Sequence, residues 1–238
     1  MVGGPRPSVR GAVAIVALAS GFFAAPLALQ VAAASPPPAA DDAAVRSAVA
    51  KALSVAAPPR VPANAALGFR RDPAVAARVR DEMLARVEST GGAGSGLAKS
   101  VASGRMLRTF DGLLRRHGYS PDDLGDVLAA YLVLAWEVVN DADATTQPEG
   151  MRAVRRQIGP ALATVPQFAA LDDAGKQARA QNTAYMAMVA TLNRQAFKAG
   201  HDDARLAALQ REVGEQVRAS TGIDLRRYRL GPGGLLPR

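Results

Sequence analysis

The chain has 238 residues, a formal net charge of +8, 49% hydrophobic residues, two histidines and no cysteine. Disulfide staples, thiolate metal sites and cysteine nucleophiles are thereby excluded, and a serine triad has only His117 and His201 to draw on. Stability has to come from packing, and the roughly 170 residues after position 68 are enough for a single core.

At the N-terminus, Arg6 and Arg10 are the only charges before Asp41, and the 24 residues from Gly11 to Ala34 are uncharged. A charged start followed by an apolar run is the order of a signal peptide. Ala32 and Ala34 supply the small side chains that cleavage needs, Pro26 breaks the apolar helix before them, and Ser35 becomes the new N-terminus. Residues 1–34 are therefore expected to be removed on export to the periplasm or beyond. The alternative is an uncleaved membrane anchor, since about 20 apolar residues can span a bilayer. Residues 35–68 open on Ser-Pro-Pro-Pro and include Pro58, Pro59 and Pro62, the composition of a stiff and largely disordered spacer. Within it, Val45, Val49, Ala52 and Leu53 share one face of a short, loosely held helix over Asp41 to Ala56.

From Phe69 onward apolar residues recur at three and four and nowhere alternate over a strand's length, so the expectation is helix after helix. Asp72 caps a helix with Pro73 at its first position and Val75, Val79, Met83 and Val87 as its stripe. A second helix begins near Leu97, is interrupted near Gly104, carries Met106, Leu107, Phe110, Leu113 and Leu114, and closes at His117-Gly118. The glycine-rich run Gly91 to Gly96 between them lacks a preceding strand and a following Lys-Ser pair, so it reads as connection and not as a phosphate loop. Ser120 is the expected cap of the next helix, with Pro121 at its first position and Asp122 and Asp123 against the positive end of its dipole. That helix, Leu124 to Val139, has almost no polar face and should be buried all round. Thr146 and Glu149 are spaced as a capping box for a fourth helix, which Gly159-Pro160 should kink or end. A long helix from about Asp172 to Ala199 and another from Asp202 to Ser220, closed by Gly222, complete the set. Residues 231–238 are glycine- and proline-rich and read as a frayed tail after the anchors Leu225 and Leu230. The fold class is thus all-α, one domain of about six helices over residues 69–230.

Charge is unevenly placed. Residues 69–119 carry ten basic and five acidic groups, residues 120–147 none and six, and residues 148–238 fourteen and eight. A basic surface could meet anionic cell-envelope polymer, although complementarity between segments explains the same pattern. No basic run is interleaved with aromatics as single-strand binders require, so specific nucleic-acid binding is not expected. Both histidines lie at helix boundaries, where capping accounts for them, and none are paired at helical spacing, so no metal site and no cofactor is expected.

The polar residues worth weighing sit on the central helix. Asp126 and Glu137 interrupt an apolar stretch, and a carboxylate forced into a core must be paired or shift its pKa. Either could serve a cell-envelope glycan hydrolase as its acid. The structural reading is a salt bridge from Glu137 to Arg108, Arg152 or Arg155. It is favoured because the glycan-cleaving families place a serine after the glutamate where this chain has Val138. Tyr131, Trp136 and Asn140 are the candidate binding residues on the same helix, and Asn182, Asn193 and Gln195 are amides expected to bond across to other helices.

The stretch Phe110-Asp111-Gly112-Leu113-Leu114, then Gly118 to Leu124, Asp126 to Tyr131 and Ala135-Trp136-Glu137-Val138-Val139-Asn140 resembles a family of exported bacterial proteins of unknown function. The resemblance extends from about Phe69 to Leu230. It implies a signal peptide, a proline-rich spacer and this helical domain, and it brings no activity or ligand. The expected function is accordingly that of an exported, non-enzymatic binding or scaffolding domain, partnered by an anionic envelope polymer or another envelope protein. Membrane contact is expected only through an uncleaved N-terminus.

Overall fold

The computed structural model describes residues 39–58 and 67–238, so the expected signal segment and parts of the spacer lie outside the described residues. The chain runs α1 (Ala39–Leu53), α2 (Pro73–Val87), α3 (Gly96–Ala102), α4 (Arg105–Arg116), α5 (Leu124–Asn140), α6 (Pro148–Ala163), α7 (Pro166–Ala169), α8 (Asp173–Ala199) and α9 (Asp203–Thr221). It ends in a two-stranded hairpin of β1 (Tyr228–Gly231) and β2 (Gly234–Pro237). The architecture is all-α, with more helices among the described residues than the six expected. The interrupted helix is two helices, α7 is a single turn, and the spacer contributes α1.

Helix α5 is the centre of the packing. It lies against α6, α8 and α9, and 13 of its 17 residues are buried. Its approach to α6 is close at Gly125, where a Cβ would come within 3.2 Å of the Gly159 Cα and 2.9 Å of the Leu67 Cδ1. Local chemistry set most helix limits as expected. Asp72, Asp172 and Asp202 cap α2, α8 and α9 with their carboxylates on the backbone N–H two or three residues ahead. Gly104 with φ +67° separates α3 from α4, and Gly222 with φ +75° ends α9.

Two helix starts differ from expectation. Asp123, not Ser120, caps α5, accepting from the Asp126 N–H at 2.9 Å. The reason is tertiary: Asp122 is paired with Arg71, and its carbonyl accepts from the Phe69 N–H, so the Ser120–Asp122 segment is held as a turn. Thr146 does not form a capping box with Glu149. Its hydroxyl donates to the Asp143 carbonyl, and α6 starts at Pro148 with Gln147 before it. Helix α6 then continues through Pro160 for three more residues.

The larger corrections concern the two ends of the chain. The segment expected as largely disordered spacer includes α1, whose Val45, Val49 and Leu53 are buried against α6, α9 and β2. The apolar face legible at those positions is a docking face rather than a loosely held one. The expected frayed tail is the hairpin. Tyr228 faces Pro237 and Leu230 faces Leu235, and both leucines are buried. Prolines and glycines that cannot continue a helix here form a tight turn, Gly231 to Gly234, with Gly234 at φ +103°.

Gln157 on α6 joins those two ends. Its Nε2 donates to the Val55 carbonyl at 2.8 Å and, at longer range, to Ala52 and Leu235. Its Oε1 accepts from the Leu235 N–H at 3.0 Å. A Cβ at position 234 would land on that oxygen, so glycine is required there by space as well as by φ. The Ala57 N–H donates to the Gly233 carbonyl at 2.9 Å, and Arg156 Nε donates to the Pro58 carbonyl at 2.8 Å.

Candidate functional site

Asp126 lies in the first turn of α5 and is buried. Its Oδ1 accepts from Arg155 Nε at 2.6 Å and its Oδ2 from the Ser120 N–H at 2.6 Å. Arg155 also donates to the Gly118 carbonyl at 3.0 Å, and the neighbouring Tyr119 hydroxyl donates to the Met151 carbonyl at 2.5 Å. Burial raises the Tyr119 pKa, so this hydroxyl stays protonated. With both oxygens engaged, Asp126 ties α5 to α6 and holds the turn that precedes α5. An arginine of the set expected to reach Glu137 thus pairs with Asp126 instead.

Glu137 has a different partner. Its Oε1 accepts from the Ala144 N–H at 2.6 Å, closing the loop between α5 and α6. The expected salt bridge is corrected to this backbone bond: Arg194, whose charge acts on Glu137, is taken up by Asp141 at 2.9 Å and by the Ala142 carbonyl. Burial raises the Glu137 pKa, opposed by the Ala144 bond and by Arg194. Asp141, a left-handed residue at φ +48°, also accepts from Lys198 Nζ at 2.7 Å, and the Lys198 bond is the first cause of its lowered pKa.

Trp136 and Asn140, one turn apart, hold the C-terminal hairpin. The indole N–H donates to the Tyr228 carbonyl at 3.0 Å. Asn140 Nδ2 donates to the Leu225 carbonyl at 3.2 Å, and its Oδ1 accepts from Arg238 Nη2 at 3.0 Å. The polar atoms of the two candidate binding residues are therefore spent inside the chain.

Tyr131 is placed elsewhere. It lines a groove of about 470 Å³ between α5, α8 and α9. Leu128, Leu171 and Met186 give the groove apolar walls, and Arg179, Asn182 and Gln216 give it polar ones. Burial pushes the Tyr131 pKa up to about 12, so the hydroxyl is neutral and can both donate and accept. Among the described residues neither the Tyr131 hydroxyl nor the Asn182 amide has a hydrogen-bond partner. Asn182 was expected to bond across to another helix and faces this groove instead. The Arg179 guanidinium stands 4.7 Å over the Phe168 ring at one edge. Gln216 Nε2 donates to Met186 Sδ at 3.3 Å, tying α9 to α8 beside the groove. Of the five candidate residues on α5, the groove takes in Tyr131 alone.

Sequence reasoning did not single out Gln157, Arg179 or Gln216. A polar residue at a core-facing position was the available signal for Gln157. Arg179 and Gln216 carried none, since each is an ordinary polar residue of an amphipathic helix. Burial lowers the His117 pKa, with Arg116 adding to the effect, at the end of α4. Among the described residues no three His, Asp or Glu side chains cluster so as to hold a metal ion, and no helix is long and apolar enough to cross a membrane.

Residues 34–237 match the model of a family of unknown function, DUF6683, and the chain belongs to that family. No curated protein and no solved structure matches it.

Proposed function

We propose that this chain is an exported, non-enzymatic binding module whose ligand enters the groove between α5, α8 and α9. The observation that carries the reading is the pairing of two unbonded polar side chains, Tyr131 and Asn182, with the apolar walls of Leu128, Leu171 and Met186. The volume is within the usual range for a small-molecule site, and a mostly apolar lining with few polar groups is the usual composition. The ligand is a small amphiphile, with its apolar body against Leu128 and Met186 and a hydrogen-bonding head between Tyr131 and Asn182. Export is supported by the charge and apolar order of residues 1–34.

The hydrolase alternative would need Asp126 or Glu137 to open onto a substrate cleft. Asp126 is held by Arg155 and Ser120, Glu137 by Ala144, and neither lines the groove. Anilinonaphthalene sulfonate, an anionic amphiphile, tests the reading directly. The mature chain should bind it at one saturable site, and Met186→Trp, which fills the groove, should abolish that binding while leaving the thermal midpoint within a few degrees. Unchanged saturable binding in Met186→Trp overturns the assignment.

A further inference from the structure

Helix α4 presents its core with Met106, Phe110 and Leu114, all buried, and the opposite face is basic. Arg105, Arg108, Arg115 and Arg116 are exposed, and among the described residues no acid pairs with any of their side chains. At 100° per residue they fall, with Thr109 and Gly112, inside about 120° of arc, over about 17 Å of helix. The single acid of α4, Asp111, lies off this face and is bonded to Arg71 at 2.6 Å. Among the described residues, charge neutralisation by an ion pair therefore does not reach these four arginines.

Folding does not explain the arrangement either. Arg105 occupies the first turn of α4, where the dipole disfavours a cation, and no acid offsets it there. Arg105 and Arg108 are like charges one turn apart, which opposes the helix. Gly112 lies mid-helix and exposed, where glycine weakens a helix relative to alanine. A Cβ at position 112 would meet nothing within 4 Å, so neither packing nor a positive φ requires glycine. Around the helix axis Arg108 and Arg115 lie on one side of Gly112 and Arg105 and Arg116 on the other, so the exposed face carries two pairs of arginines with no side chain between them at position 112.

We infer that this arginine face of α4 docks a linear phosphodiester polyanion, a glycerol-phosphate polymer of the cell envelope. Guanidinium groups match phosphate oxygens in a planar, bidentate geometry, and two flanking pairs fit a chain running along the helix. An anionic membrane surface is a poorer partner, because the apolar residues that would insert into it are those α4 buries in the core. The surface lies on α4, away from the α5, α8 and α9 groove, and is independent of the function proposed for that groove.

The test uses the mature chain and poly(glycerol phosphate), with phosphatidylglycerol vesicles as the second arm. Two charge-matched variants are compared: R105Q/R108Q/R115Q/R116Q, and R211Q/R218Q/R226Q/R229Q, whose arginines are also exposed. Circular dichroism establishes that both fold. The polymer should bind with a log–log salt slope of about −3 for four neutralised phosphates, and the α4 variant should lose about tenfold or more in affinity while the other stays within about threefold. Equal losses in the two variants, no polymer binding at low salt, or vesicle binding without polymer binding would each overturn the inference.

Discussion

Replacing Gln157 by leucine should detach both ends of the chain from α6. The wild-type amide satisfies the Leu235 N–H and the Val55 carbonyl at once. Leu235 is fully buried, so leucine at 157 leaves its N–H without a partner, at a cost of about 1–3 kcal/mol. Val55 is 60% exposed, and its carbonyl can turn to water, so losing that bond costs about 1 kcal/mol. The expected total is about 2–4 kcal/mol, a large share of the ~5–15 kcal/mol typical of a domain. Urea unfolding followed by Trp136 fluorescence measures it, and the probe is well placed because the indole bonds the Tyr228 carbonyl at the base of the hairpin. The Leu235 amide should lose most of its hydrogen-exchange protection before the amides of α5 do. A change below about 0.5 kcal/mol with Leu235 protection intact would refute the role assigned to Gln157, since surface substitutions commonly fall in that range.

Asp126→Ala should destabilise by about 2–3 kcal/mol in the same assay. This is less than the ~3–5 kcal/mol of a fully buried broken pair, because Arg155 is 37% exposed and keeps its Gly118 bond. Glu137→Gln keeps an oxygen for the Ala144 N–H and removes the titration. The folded-state pKa of Glu137 is raised, so wild-type stability gains from its protonation below the unfolded glutamate value and loses that gain as pH rises through the folded value. The stability of Glu137→Gln relative to wild type should therefore grow with rising pH across that window, and a flat or opposite difference would count against burial as the dominant cause. Gly112→Ala should stabilise by about 0.5–1 kcal/mol, a rise of about 1–4 °C in thermal midpoint, because nothing obstructs the added methyl. A loss of stability would show that Gly112 has a packing role.

The helices legible in the sequence are those whose limits are set locally. Asp72-Pro73, Asp172, Asp202 and Gly222 act on neighbours two to four residues away, and the uninterrupted apolar run of α5 placed it at the centre. What stayed hidden is set by distant partners. Ser120 has the chemistry of a cap, yet Arg71 and Phe69, some fifty residues earlier, hold the turn and pass the cap to Asp123. The hairpin has four-residue strands rich in glycine, too short for an alternating pattern, and depends on Gln157, Trp136 and Asn140 about eighty to a hundred residues away. The apolar stripe of α1 was visible, but its partners α6 and α9 were not.

For the candidate site, composition identified α5 as the element to examine without separating its polar residues. Asp126, Glu137, Trp136 and Asn140 looked alike as polar interruptions of an apolar helix, and the partners that use them lie on other elements. Tyr131 and Asn182 are distinguished only because α5 and α8 bring them to one groove, a juxtaposition 51 residues apart in sequence.

Ligand binding in the groove between α5, α8 and α9 is tested most directly by a methyl-detected NMR titration of residues 35–238 with anilinonaphthalene sulfonate. Saturable shifts should concentrate on the methyl groups of Leu128, Leu171 and Met186, with those of α4 unmoved. Saturable shifts centred elsewhere, or no saturable binding at all, would contradict it.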